Sequence, residues 1–229
     1  MAAALGEGMG HNSAMERTDQ IEPVHGPYTW DDFIKLDEDD LRELIDGELV
    51  EVEVPGLPHE HIVAHVVTEL RVWAKQNGGR VFPSGVKVYI SERRGVMPDA
   101  QYYAKDHPAA QRPVERRVRR SPDLAVEVLS PSSRRIDRVV KLGYYASVGT
   151  LEYWLIDPEA QTLDRYLLKK GHYILAASLS GADVFRPETL PGFELSLGEI
   201  WPTEEDQQFY DVIDEPSPDL PARLPDEDP

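Results

Sequence analysis

SPDLAVEVLSPSSRRIDRVVKLGYYASVGTLEYWLIDP, residues Ser121 to Pro158, is the stretch that decides how the chain folds. Leu124 to Leu129 is a Val-rich apolar run between Pro122 and Ser130-Pro131, interrupted only by Glu127, and it reads as a strand. Ser132 or Ser133 then caps a helix expected over Arg134 to Ser147, whose apolar positions Ile136, Val139, Val140, Tyr144 and Val148 recur at helical spacing. Gly149 ends that helix, and Leu151 to Ile156 makes a second apolar strand stopped by Asp157-Pro158. Strand, helix and strand of these lengths form a crossover, which predicts two parallel strands in one sheet with the helix on a face. Glu127 demands an explanation, because a bare carboxylate in a covered strand is costly unless something pairs with it. A bound divalent metal is one remedy, and a flanking cation is another.

The 229 residues, 41% apolar with a mean hydropathy of -0.45, suit one domain with small additions. No apolar span approaches the roughly 20 residues needed to cross a bilayer. The first residues lack a cationic segment followed by a long apolar one, so no secretion signal is expected. With no cysteine, disulfides and thiolate metal sites are excluded, and a cytoplasmic location is expected. The formal net charge of -18 opposes contact with a phosphate backbone. The charge is unevenly spread, however. Acids crowd Asp31 to Glu53 and Glu204 to Asp228, whereas Arg112, Arg116, Arg117, Arg119 and Arg120 share one polar loop.

Residues 1–27 are expected to be disordered, residues 28–213 to form the domain, and the Pro-rich acidic stretch 214–229 to be a disordered tail. Thr29 and Asp32 make a capping arrangement for a short helix through Leu36, with Trp30, Phe33 and Leu36 inward. Asp46-Gly47, between the alternating halves of Leu41 to Val54, predicts a hairpin. A helix is expected from His59 or Glu60 to Gln76 on the stripe Ile62, Val66, Leu70 and Trp73, stopped by Gly78-Gly79. Its His59, His61 and His65 lack a further ligand at the spacing of a zinc site. Arg80 to Ser91 reads as one strand with a bulge at Gly85, Ala100 to Ala104 as another, and Lys105 to Arg120 as a loop. A hairpin is expected from Thr162 to Leu168 and Tyr173 to Ala177, then a strand near Asp183 to Phe185 and a meander to Trp201. Tyr144 and Trp154 read as packing groups, and no Walker loop, dinucleotide fingerprint or nucleophile elbow is present.

Asp99 and Glu127 carry the chemistry that the residues themselves suggest. Neighbouring strands can hold two carboxylates close together, the hard-oxygen pair that Mg2+ or Mn2+ prefers, and the Val128 carbonyl could add a ligand. Such an ion polarises a phosphate and activates water, and a nearby lysine stabilises the charge that develops. Plainer roles stand beside these. Asp99 could cap a turn, Glu127 could pair with Lys141 without metal, and Lys141 could pair with Asp137 at spacing four.

An ordered series of motifs sharpens the reading: ELIDGELV at 43–50, the helix opening with His61, Pro98-Asp99, VEVLSPS at 126–132, Asp137 with Lys141 and Tyr144-Tyr145, and EYWLIDP at 152–158. From about Thr29 to Trp201 this series resembles the Uma2 family, a domain of unknown function grouped with restriction endonucleases in the PD-(D/E)XK nuclease superfamily. The resemblance implies an α/β fold in which a mixed, restriction-endonuclease-like sheet is flanked by helices, with an additional N-terminal hairpin. It implies dependence on Mg2+ or Mn2+ and cleavage of DNA, with RNA or branched DNA as other substrates. Asp99 matches the PD aspartate and Glu127 the acid of the second motif. Leu129 stands where the simplest superfamily pattern has its lysine. Lys141 matches the family's displaced lysine, with a stem long enough to reach back to the strand. Glu43 matches the first-motif glutamate, which orients water or joins the metal. The arginine loop is expected to contact phosphates, and a homodimer would give one site to each strand of a duplex. The excess negative charge and Leu129 favour the alternative, a catalytically inactive nuclease-like structural or protein-interaction module.

Overall fold

In a computed structural model describing residues 26–37, 40–52, 54–108, 117–118, 121–131 and 133–214, the chain opens with α1 (Trp30–Phe33) and the strands β1 (Glu43–Ile45) and β2 (Glu48–Val50). There follow α2 (Leu57–Asn77), β3 (Arg80–Pro83), β4 (Lys87–Ser91), β5 (Arg94–Val96), β6 (Ala100–Tyr103) and β7 (Arg117–Val118). The deciding stretch supplies β8 (Leu124–Val128), a π-turn at Ile136–Lys141, α3 (Leu142–Val148) and β9 (Glu152–Asp157). The remainder forms β10 (Thr162–Lys169), β11 (His172–Ser180), β12 (Val184–Phe185), β13 (Leu195–Ser196), α4 (Leu197–Ile200) and α5 (Glu204–Asp214).

The expected crossover is present. β8 and β9 run parallel, Leu124 opposite Glu152 through Val128 opposite Ile156, at the centre of a six-stranded sheet ordered β11-β10-β9-β8-β6-β3. The other pairings in that sheet are antiparallel, so it is mixed. Every residue of β8 and β9 is buried, as a strand covered on both faces requires. Leu124, Val126 and Val128 meet Ile62, Val66 and Leu70 of α2, whereas Ala125 and Leu129 meet Tyr144, Tyr145 and the strand residues Val88, Ile90 and Val96. Glu127 therefore points, by alternation, toward α3 and the second sheet.

That second sheet, ordered β2-β1-β5-β4-β7, contains the predicted Asp46-Gly47 hairpin. α1 caps it through the expected box: Asp32 accepts the Thr29 amide at 2.9 Å, and Trp30 and Phe33 are buried. They seat on Gly95, where a Cβ would lie 2.7 Å from the Phe33 ring, so this position needs glycine.

Several expectations are corrected. Arg80 to Ser91 is two strands, because the chain leaves the large sheet at β3 and joins the second at β4, turning at Gly85 with φ +90°. The strand β5 at Arg94–Val96 was not foreseen. α2 starts at Leu57, with Pro58 in its first turn, where a missing N–H costs nothing. Helix α5 was not foreseen; it starts where Asp206 accepts the Thr203 amide at 2.8 Å, and its acidic first turn suits a helix N-terminus. The helix after β8 buries Asp137, Lys141, Tyr144 and Tyr145 and leaves Val139 65% exposed. Val140, Tyr144 and Val148 of the expected apolar stripe pack inward and Val139 does not, and the inward face also carries Asp137 and Lys141, an ion pair at 3.0 Å.

Residues 1–25 and 215–229, on which most of the disorder expectation falls, lie outside the described residues, as do Arg112, Arg116, Arg119 and Arg120. The backbone of Arg117 pairs with Lys87. Gly26, expected to be disordered, donates its amide to the Asp46 carbonyl at 2.9 Å. Among the described residues no helix is long and apolar enough to cross a membrane.

Candidate active site

Where the two sheets and the helix after β8 converge, four of the residues singled out from the sequence meet. Lys141 leaves the last position of the π-turn, a feature that recurs at functional sites. Its Nζ lies 3.1 Å from Glu43 Oε2, 3.1 Å from Glu127 Oε2 and 3.0 Å from Asp137 Oδ1. All four side chains are at most 5% exposed. Tyr145 donates to Glu127 Oε1 at 2.8 Å, and the Met97 amide donates to Glu43 Oε1 at 2.7 Å. Each glutamate is thus gripped at one oxygen by a neutral donor and at the other by the ammonium. Asp137 Oδ1 is less well served: it is close to the ammonium but receives no well-directed hydrogen bond.

One ammonium does not balance three carboxylates. Burial pushes Glu127 well above the ordinary glutamate range, with Lys141 opposing and the charges of Asp137, Asp99 and Glu43 adding to the rise. Burial raises Glu43 in the same way, against Lys141 and the Met97 amide. For Lys141, burial favours losing the proton, but the surrounding carboxylates outweigh it and hold its pKa well above the ordinary lysine value.

Asp99 stands at the entrance to β6. β6 starts at Ala100, opposite Val126, so the Val128 amide lies beyond the ladder, and Asp99 Oδ2 accepts it at 2.7 Å. His59, in the first turn of α2, brings Nε2 to 3.0 Å from the Val128 carbonyl oxygen and 3.4 Å from Asp99 Oδ2. Both neighbours are acceptors, so Nε2 carries a hydrogen. Burial works to lower the His59 pKa, but Asp99 and Glu60 outweigh it and the net shift is upward.

Glu43, His59, Asp99, Glu127, Asp137 and Lys141 line one cavity of about 250 Å3, which also reaches Leu41, Val52, Pro55 and Met97. Asp99 and Glu127 therefore face the same space. The donor chemistry suits a hard divalent cation: two carboxylates, the Val128 carbonyl oxygen, surplus negative charge and an under-served Asp137 oxygen. Among the described residues, no three His, Asp or Glu side chains form a metal-ligating cluster. A cation here would rest on two carboxylates, one carbonyl and water, as Mg2+ commonly does.

The family model described as "Putative restriction endonuclease", Uma2, matches residues 30–198. The chain belongs to the Uma2 family. Its fold is that of a crystal structure of a "putative nuclease belonging to DUF820" from Anabaena variabilis ATCC 29413, at TM-score 0.63 and 21% identity, covering 76% of this chain and 98% of that one. No curated protein matches it. In this Uma2 chain Lys141, 14 positions later in sequence than Glu127, donates to Glu127 Oε2 at 3.1 Å. Sequence reasoning missed two members of the site. His59 was weighed only as a zinc ligand, and Asp137, though quoted in a motif that carries the resemblance, was given no role beyond a helix-face partner of Lys141. Pro58 ahead of His59 was the available signal, since it fixes where α2 begins and so which histidine faces the β8 end.

Proposed function

We propose that this Uma2 protein hydrolyses phosphodiester bonds in DNA, using Mg2+ or Mn2+ held by Asp99, Glu127 and the Val128 carbonyl. The observation that carries the reading is the buried Lys141 ammonium, set 3.1 Å from both Glu43 and Glu127 on the wall of the cavity that Asp99 also lines. When bound, the cation polarises the scissile phosphate and makes water a better nucleophile. The chain's own groups do the rest. Lys141 exchanges a carboxylate contact for a phosphate oxygen and stabilises its growing charge. Glu43, anchored by the Met97 amide, turns its other oxygen to the attacking water. Tyr145 keeps Glu127 from rotating away. Leu41, Val52, Pro55 and Met97 give the cavity apolar walls, which strengthen every charge interaction inside it. The family description, a restriction endonuclease, supports DNA as the substrate.

Plasmid nicking with Mg2+ or Mn2+ tests the reading. Asp99→Ala, Glu127→Ala and Lys141→Ala should each lose nicking by about 100-fold or more, and the two carboxylate variants should also lose metal affinity. A folded parent protein that neither binds metal nor nicks DNA would overturn it. That result would favour a catalytically silent interaction module, which the net charge of -18 supports.

A further inference from the structure

We infer that His59 is a positioning residue that clamps the Asp99 carboxylate and the Val128 carbonyl together, so that both stay presented to the cavity. The inference rests on the metal-site reading above but stands on its own geometry. Asp99 sits immediately before β6, joined to the strand by rotatable bonds, and the Val128 amide holds its Oδ2 at 2.7 Å, the oxygen that also faces His59. Val128 projects two residues past the last β6–β8 pair, Ala100 with Val126, so β9 holds it on one side, where the Leu129 amide donates to the Ile156 carbonyl at 2.8 Å, and no β6 residue pairs with it on the other. A single N–H directed between Val128 O at 3.0 Å and Asp99 Oδ2 at 3.4 Å ties the two together.

The element carrying that N–H is rigid. Pro58 restricts the backbone immediately before His59, and Ile62, Val66 and Leu70 lock the following turns of α2 into the core. The His59 side chain is only 12% exposed, so water competes weakly for its bonds. The nitrogen that faces Asp99 and Val128, Nε2, bears the hydrogen and so acts there as a donor rather than a ligand, while Nδ1 makes no hydrogen bond and lies 3.4 Å from Glu60 Oε1. Groups that hold metal-binding side chains in place in this way typically change affinity by about 10–100-fold when removed.

The test compares His59→Leu, which has no donor, with His59→Gln, whose amide N–H can reach the same oxygens. Hydrogen exchange at the Val128 amide is read without metal, and Mn2+ affinity by the paramagnetic signal of free Mn2+. In His59→Leu, Val128 protection should fall by about tenfold, the worth of one hydrogen bond, while other β8 amides hold. Mn2+ should bind about 10–100-fold more weakly. His59→Gln should restore both, which a metal ligand would not. Parent-like behaviour of His59→Leu, or no rescue by His59→Gln, would overturn the clamp. If His59→Leu does not fold, His59→Gln decides: parent-like protection supports the clamp, and lost protection overturns it. Loss of Val128 protection in a protein whose parent form binds no Mn2+ would keep the clamp and discard the metal reading.

Discussion

Two buried charge networks, one around Arg165 and one around Lys141, are built from the same residue types to opposite effect. Arg165 binds Glu152 through Nε at 2.8 Å and through a second nitrogen at 3.3 Å, and reaches Thr189 at 3.0 Å and Glu188 at 2.5 Å. Trp154 and Thr189 also donate to Glu152, so both its oxygens are taken, and the second acid, Glu188, is 85% exposed. One guanidinium thus faces one buried carboxylate whose acceptors are all used. Around Lys141, three buried carboxylates share one ammonium, one oxygen is under-served, and a cavity opens beside them. A balanced network holds strands together. An unbalanced one holds reactive groups ready, at a cost in stability.

Removing the cation from the balanced network is expected to have the largest effect. Arg165→Met strands Glu152 in the core and should destabilise the fold by about 3–5 kcal/mol, read by urea unfolding. A loss below about 1 kcal/mol would erase the contrast, since it would place Arg165 among ordinary surface pairs. The acid of the unbalanced network should respond with the other sign. Glu127→Gln retains groups that can bond Tyr145 and Lys141 but deletes a disfavoured charge. It should raise stability by about 0.5–2 kcal/mol near neutral pH while abolishing nicking.

The smallest and most discriminating effect is the pH dependence of that gain. The folded protein raises the Glu127 pKa, so the proton is bound more tightly folded than unfolded. The stability owed to that proton is complete below the ordinary glutamate value and is lost as pH rises through the elevated folded one. The advantage of Glu127→Gln should therefore be greatest above that window and shrink toward zero near pH 4.5, the unperturbed glutamate value. A gain that stays constant with pH would mean that packing, not charge, distinguishes the variant.

The crossover, the hairpin and the Glu127 anomaly were legible because each is written in local pattern: an apolar run with one acid, an Asp-Gly turn, a helical interval between strands. Lys141 was legible as a partner of Glu127, but a place in the chemistry came to Lys141 and Glu43 through the resemblance. The passage of the chain between sheets at Gly85 was not legible. A strand that changes sheets and a strand with a bulge share the same alternation, and only tertiary pairing separates them. The buried face of the helix was half legible, because Val140, Tyr144 and Val148 read as an inward stripe whereas Asp137 and Lys141, which also point inward, did not. Burial of charge is intelligible only when the partners on other elements are known.

The wide turn at Ile136–Lys141 leaves the buried ion cluster one codon away from its dispersal. A π-turn spends one more residue per hydrogen-bonded ring than an α-turn, so losing a single residue within it would restore a regular helix. Each residue of an α-helix advances about 100° around the axis. Such a deletion would swing the amine away from its carboxylates while β8, β9 and their packing persisted, so this one turn sets whether Lys141 meets Glu43 and Glu127.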